Sequence, residues 1–383
     1  MLRFFIAGDV VPKGIDPEEF VLKGEHIFAE FKSLISAADF SIVNFEAPVI
    51  KDKPTPIKKS GPCLGVASTT VDVLKAVGFN VFTLANNHFF DQGQTGVNAT
   101  INECVFKGIK TVGGGVNITE ARKPLLIDKD GRRVVIINAC EHEFSITNTN
   151  HGGSNALDLI SMQEDITSVR NNADFVILIL HGGIEQYHYP TPRMKRWYRH
   201  FIDIGADVVI NHHQHCVNGY EVYRGKPIFY GLGNFYFPWG SQPRPDSWNY
   251  GYAVDLYLDD NIGFNLVPFK QTVDAITLRD KSSFENEIST LNQIIQDDLL
   301  LQKVFSDYIL SNENHIKVGL LPSFLRTRIF SAMAQRGFLG KLYSGLTLYA
   351  LKNRLSCESH LELLQNLFCN LVEKENQGRI DGI

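Results

Sequence analysis

The feature that most constrains this chain is a recurring unit, a short run of β-branched and aromatic residues that stops abruptly at a polar side chain. Such runs occupy residues 3–7, 40–44, 81–85, 134–139, 175–180, 208–210 and 228–232, bounded by Gly, Asp or Asn. Continuous apolar runs of this length describe strands buried on both faces. Between them lie stretches with helical spacing. Residues 68–77 place Val71, Leu74 and Val77 on one side, ahead of Gly78, a residue suited to a helix C-cap. Residues 192–204 open on Pro192, favoured in a first helical turn, and stop before Gly205. Alternating strands and helices predict an α/β domain with a largely parallel or mixed sheet.

The pattern changes after Thr272. Ser282-x-x-Glu285 reads as a capping box, and Phe284, Ile288, Leu291, Ile295, Phe305 and Ile309 follow as an apolar stripe at helical spacing. Leu361, Leu364, Leu367, Phe368 and Leu371 form a second stripe, closed by Gly378. The expected organisation is residues 1–272 as the α/β domain and residues 273–383 as a helical C-terminal appendage. Residues 314–357 hold Lys317, Arg326, Arg328, Arg336, Lys341, Lys352 and Arg354 and no acidic residue. That block either meets an anionic partner or membrane surface, or is a helical pair whose solvated Lys and Arg flank apolar packing.

Charge and cysteine exclude some functions. With 37 basic and 42 acidic side chains the net charge is −5, so no global basic field exists and no nucleic-acid partner is expected. The 6 cysteines are scattered without a Cys-x-x-Cys, which removes zinc-ribbon and thioredoxin-like readings. The apolar run at residues 4–7 is too short for a signal-peptide core, and no segment reaches the roughly 20 apolar residues of a membrane span. The expectation is a cytoplasmic protein with no transmembrane segment, at most peripheral to a membrane.

The polar residues that end the apolar runs carry the chemistry. Asp9 follows the first run, Glu46 the second, Asn86-Asn87-His88 the third, His181 the fifth, and His212-His213-Gln214-His215 the sixth. In open α/β sheets ligands gather outside the carboxyl ends of the strands, so these five endings converge on one site. Half of the 12 histidines fall between His181 and His215. Two residues apart on an extended segment, His213 and His215 present both imidazoles on one side. Mixed oxygen and nitrogen donors suit Mn, Fe or Zn better than Ca or a thiolate-bound metal.

The segments Ala7-Gly-Asp9, Asn44-Phe-Glu46-Ala-Pro48 and Leu84-Ala-Asn-Asn-His88-Phe-Phe-Asp91-Gln-Gly93 occur in that order. They are followed by His181-Gly-Gly-Ile-Glu185, Gly205-Ala-Asp-Val-Val-Ile-Asn-His-His-Gln-His215 and a block from Tyr220 to Phe235. Together they resemble the bacterial capsule and poly-γ-glutamate synthesis family (CapA-like), a branch of the calcineurin-like metallophosphoesterase superfamily. The resemblance covers about residues 2–270 and implies a four-layer αββα sandwich with a metal centre at one end, holding one or two divalent ions (Mn, Fe or Zn). Carried over residue by residue, it implies Asp9, Glu46, Asn87, His181, His213 and His215 as metal ligands. His88 would donate a proton to the leaving oxygen, with Asp91 either orienting it or capping the following helix. Glu185 joins the catalytic set, and Asn44, Glu141, Glu143 and Asn234 the substrate-binding set. His188, His200 and His212 are expected to be bystanders.

The implied function is a metal-dependent phosphoesterase-like hydrolase linked to capsule or poly-γ-glutamate biosynthesis. Its substrate would be an anionic small molecule or polymer, and its partners capsule-synthesis proteins. The missing first-motif histidine and the basic block at 314–357 give weight to an alternative, a non-catalytic assembly or anionic-polymer-binding factor on the same fold, and three departures from the family pattern stand out. Val11 stands where the superfamily's first motif carries a histidine. Asn44 and Glu46 stand where its second supplies an aspartate. Asn211-His-His-Gln-His replaces the family's Gly-His-His-Pro-His.

Overall fold

A computed structural model of the chain describes residues 1–59, 61–240 and 244–313, and Val372. The first strands in chain order are β1 (Leu2–Val10), β2 (Phe40–Phe45), β3 (Val81–Thr83), β4 (Lys110–Val112), β5 (Gly114–Gly115), β6 (Leu125–Lys129), β7 (Arg132–Cys140) and β8 (Gly153–Ser154). They continue as β9 (Phe175–His181), β10 (Val208–His212), β11 (Tyr220–Tyr223), β12 (Lys226–Phe229), β13 (Asn234–Tyr236), β14 (Tyr250–Leu258), β15 (Ile262–Gln271) and β16 (Ile276–Leu278). The helices are α1 (Pro17–Ile27), α2 (Ala29–Ser36), α3 (Thr69–Val77), α4 (Gly93–Lys107), α5 (Ile118–Arg122), α6 (Leu159–Arg170), α7 (Pro192–Asp203), α8 (Lys281–Gln296) and α9 (Asp298–Ser311).

The strands form two large sheets rather than one. The first runs β16-β15-β14-β1-β2-β3-β4, with β13 also paired to β1; the second runs β11-β12-β10-β9-β7-β6. In both, the strands that end at the polar residues are parallel neighbours: β1 with β2 and β2 with β3, β9 with β10. Alternation along these strands explains the four layers. Phe4 and Ile6 of β1 pack between the sheets against Ile177 and Ile179 of β9, while Phe5 and Ala7 face Phe28 and Phe31 on the helical side. On the second sheet Val176, Leu178 and Leu180 point the other way, onto Met162, Ile166, Tyr198 and Phe201 of α6 and α7. A strand read as apolar at every position is thus one whose two faces serve two different cores. The αββα sandwich follows.

The local expectations translate with small shifts. Helix α3 ends at Gly78, whose φ of +120° suits glycine, and α7 begins at Pro192 under a Thr191 cap. Strand β3 stops at Thr83, and β12 at Phe229, short of the runs that predicted them. The helix expected behind a Ser282 capping box starts earlier: Asp280 is the cap, its carboxylate accepting from the Ser283 amide at 2.7 Å.

The C-terminal boundary also moves. β16 adds to the edge of the first sheet, and α8 buries Phe284, Ile288 and Leu291 in the core between the sheets. These elements belong to the sandwich, so residue 272 is not where an appendage begins. The chain divides instead into Met1–Lys303 and Val304–Ile383. Along the apolar stripe Ile295 of α8 is fully buried and Ile309 of α9 is exposed. The basic block at 314–357 and the stripe from Leu361 to Leu371 lie outside the described residues. Among the described residues no helix is long and apolar enough to cross a membrane.

Candidate metal centre

Five strand ends bring their polar residues to one buried cluster. Asp9, near the end of β1, is fully buried and held by three neighbours. Its Oδ1 accepts from Asn44 Nδ2 at 2.7 Å, and its Oδ2 lies 3.2 Å from His215 Nδ1 and 3.4 Å from the His213 amide. Burial alone would raise the Asp9 pKa; the His215 hydrogen bond and the charges of His212, His215 and His181 outweigh it and hold the group well below the usual carboxylate range.

Glu46, just past β2, is in the opposite situation. It is fully buried, and neither carboxylate oxygen has a hydrogen-bond partner. Its Oε1 stands 3.6 Å from His181 Nε2 and 3.7 Å from His215 Nε2. Burial, then repulsion from Asp9, Glu185 and Glu143, raises its pKa well above normal. A buried carboxylate left unsatisfied in this way is costly, and a positive charge beside it is the simplest compensation. Two donor sets meet there. Glu46, His181 and His213 offer ligand atoms within 4.8 Å of one another, and so do Asp9, Glu46 and His215. Glu46 is common to both sets, so its unsatisfied carboxylate would serve either. A donor set of carboxylate oxygens and imidazole nitrogens is one that can hold a metal ion.

Hydrogen bonds orient the imidazoles. His215 Nδ1 faces two oxygens, Asn234 Oδ1 at 2.8 Å and Asp9 Oδ2, so Nδ1 carries the proton and Nε2 is left for the Glu46 side. His181 has Asn44 Nδ2 at 3.2 Å from Nδ1, with Asn87 Oδ1 and His213 Nδ1 each 3.1 Å from Nε2. Its pKa is well below normal, through burial first and then the charge of His213, which favours the neutral imidazole. His213 and His215 do not sit on an extended segment. Both adopt positive φ, +94° and +53°, in the bend after β10. That is an unusual conformation for residues with a Cβ, and it turns both rings toward the cluster.

Beside the cluster stands a second polar chain. His88 Nδ1 is 2.5 Å from Asp91 Oδ2, which also accepts from the Leu64 amide at 2.7 Å. Lys59 pairs with the other Asp91 oxygen, and its Nζ lies 3.2 Å from His88 Nδ1. Of the two readings of Asp91, the geometry matches orientation of His88; the cap position of α4 is Gln92, whose side chain makes no capping bond and instead links the Thr55 amide and the Leu64 carbonyl. Burial lowers the His88 pKa despite Asp91.

The remaining expected residues separate. Asn44 and Asn234, expected against substrate, are fully enclosed and occupied in holding Asp9, His181 and His215. Glu143 lies at the rim, 3.6 Å from His213 Nε2 and bonded to Asn87 Nδ2 at 2.9 Å. Glu141 is drawn away, paired with Arg193 and accepting from the Gly183 amide at 3.1 Å. Glu185 is exposed, and its charge reaches Glu46 and His215. His188 donates from Nδ1 to the Val217 carbonyl at 2.9 Å, away from the cluster. His212, expected to be a bystander, is buried with both ring nitrogens unpartnered and Nδ1 3.6 Å from Asp9 Oδ1. Sequence patterns missed Lys59, because it lies in the polar stretch Lys51-Asp-Lys-Pro-Thr-Pro-Ile-Lys-Lys59, where nothing marks one lysine as buried.

A four-layer αββα sandwich that gathers carboxylates and imidazoles at its strand ends defines an α/β protein with a candidate metal centre. More particularly, the chain belongs to the bacterial capsule synthesis protein family PGA_cap, whose family model matches residues 3–238. It is 28% identical over 245 residues to "Capsule biosynthesis protein CapA" of Bacillus anthracis, covering 62% of this chain and 59% of that protein. It is 30% identical over 226 residues to "PGA biosynthesis protein CapA" of Bacillus subtilis (strain 168), covering 58% and 60%. The chain thus spans about three fifths of the length of these curated relatives. Among solved structures it is similar to a hypothetical protein from Thermus thermophilus, at 12% identity and a TM-score of 0.45 over 71% of this chain and 100% of that one. A putative 5'-nucleotidase from Staphylococcus aureus aligns at 14% identity and a TM-score of 0.44, over 77% and 58%.

Proposed function

We propose that the chain is a metal-dependent phosphoesterase-like hydrolase acting on an anionic substrate in capsule or poly-γ-glutamate synthesis. The observation that carries this reading is Glu46, a fully buried carboxylate with both oxygens unsatisfied, common to two donor sets. Two divalent cations of the Mn, Fe or Zn type would be held there. Asp9, Glu46 and His215 would hold one; Glu46, His181 and His213 would hold the other, with Asn87 beside them. Bound in this place, such ions supply Lewis-acid charge toward a phosphoryl oxygen.

The chain's own side chains have separate tasks. Asn44 fixes Asp9 and His181 relative to each other, and Asn234 fixes the tautomer of His215. Asp91, gripped by Lys59 and the Leu64 amide, holds the Nδ1 proton of His88 and leaves Nε2 to exchange a proton with a leaving oxygen. Glu143 and Glu185, at the rim, would bound the substrate. The place in capsule synthesis, and partners among capsule-synthesis proteins, follow from the names of the two Bacillus relatives.

The test is metal content after chelator-free purification, together with turnover on a panel of phosphoesters. Bound Mn, Fe or Zn and metal-dependent turnover are expected, both lost in Asp9→Asn and His213→Ala. Metal-replete protein that hydrolyses no phosphoester would favour a non-catalytic assembly factor. Val11, a buried apolar side chain where the superfamily carries a histidine, supports that second reading.

A further inference from the structure

One group of residues outside the carboxylate–imidazole cluster is electrostatically out of balance. The loop after β1 and the loop after β13 meet at Gly14 and Gly240, both with positive φ, +87° and +72°. A Cβ on Gly14 would lie 2.4 Å from the Gly240 nitrogen, so only glycine permits this approach. The contact sets Lys13 beside Trp239, with Nζ 3.7 Å from the ring centre. Arg244 reaches the same indole, its Cζ 3.7 Å from that centre and 4.6 Å from the centre of Trp248. Trp248 packs on the candidate ligand His215, ring centroids 4.5 Å apart.

Two like charges therefore share one indole, and among the described residues neither lies within salt-bridge distance of a carboxylate. Burial, and then the charge of Arg244, lowers the Lys13 pKa, and burial lowers that of Arg244. Trp248, which Arg244 overlies and which packs on His215, joins this group to the cluster. Asp91 acts on Lys13 and on Glu46, and Glu185 acts on Arg244 and on Glu46.

We propose that Lys13, Trp239 and Arg244 form a subsite for an anionic group of the substrate, a carboxylate or a phosphate, one indole away from the metal ligands. The proposal rests on reading the cluster as a metal centre and adds that the preferred substrate carries two anionic groups, one at each place. A guanidinium presents paired N–H donors that match the two oxygens of a carboxylate or phosphate, and the ammonium adds a point charge. The indole faces hold both cations in place and partly out of water, which strengthens their pull on a bound anion.

The experiment is calorimetric titration of the manganese-loaded full chain with tetraglutamate, tripolyphosphate and uncharged tetraglutamine, with manganese content measured on every sample. At least one anionic probe is expected to bind and tetraglutamine not to; the tighter of the two identifies the anion as carboxylate or phosphate. Lys13→Met and Arg244→Met should each weaken that binding about tenfold or more, and Lys13→Arg should largely restore it. Lys110→Met, which removes an exposed cation on β4, should change nothing. Wild-type affinity in both Met variants, or no anion binding by manganese-loaded protein, overturns the proposal. Protein that takes up no manganese, yet binds the anions in a Lys13- and Arg244-dependent way, overturns the metal-centre reading and leaves the subsite standing.

Discussion

Glu46 is where charge is least satisfied, so substitutions there separate the cost of the empty carboxylate from its use. Glu46→Gln removes repulsion with Asp9, Glu185 and Glu143. In chelator the variant should melt above the wild type, by about 2–4 °C for each 1 kcal/mol recovered. With manganese the order should reverse if Glu46 is the shared ligand proposed above; scanning calorimetry in both conditions checks it. Asn44 acts through others. Asn44→Ala should lower metal affinity about 10–100-fold, the usual effect of removing a group that orients ligands. Competition with a fluorescent chelator measures it. Lys59 and Asp91 form an enclosed ion pair, with side chains 2% and 0% exposed. Lys59→Met should cost about 3–5 kcal/mol by leaving the buried Asp91 carboxylate without its cation, and Lys59→Met with Asp91→Asn, which keeps an acceptor for the Leu64 amide, should cost less. Denaturant melts of both decide. Asp9, Glu46 and the histidines were legible in the sequence because each ends an apolar run. Lys59 was not, because a lysine in a polar loop carries no periodic signal and its burial depends on a carboxylate 32 positions away.

At the scale of elements, the sequence distinguished strands from helices well and sheets from one another poorly. An apolar run such as residues 175–180 looks the same whether its outer face meets a helix or a second sheet, because both partners are apolar. The long hairpin of β14 and β15 escaped notice for a related reason: β15 is only partly buried along most of its length, so its apolar run is interrupted. α8 shows the same limit from the other side. Its stripe was readable, but a helical stripe does not say what it packs on. Phe284 sits between the sheets, with its ring 5.5 Å from that of Tyr252. Phe284→Ala should therefore destabilise the sandwich by about 3–5 kcal/mol, measured by urea denaturation. A loss below about 1 kcal/mol would mean that α8 is the detachable appendage the sequence suggested. The bend after β10 was misread as extended. Its two positive φ values are strain that no residue type at 213 or 215 announces.

For the whole molecule, the sandwich supplies two parallel strand sets whose ends deliver carboxylates from one sheet and imidazoles from the other. Neither sheet carries a complete donor set: Asp9 and Glu46 come from the first, His181, His213 and His215 from the second. Binding at this junction should tie the sheets together, and a cation at 100 times its dissociation constant adds about 2.7 kcal/mol to stability. Chelation should accordingly lower the melting temperature reversibly, with the loss restored by Mn, Fe or Zn but not by Mg. The most direct measurement is anomalous diffraction from a manganese-loaded crystal. Two peaks are expected, one on each side of the Glu46 carboxylate, the first against Asp9 and His215 and the second against His181 and His213. Absence of anomalous density beside Glu46, or a single peak that leaves one donor set unused, would contradict the shared centre.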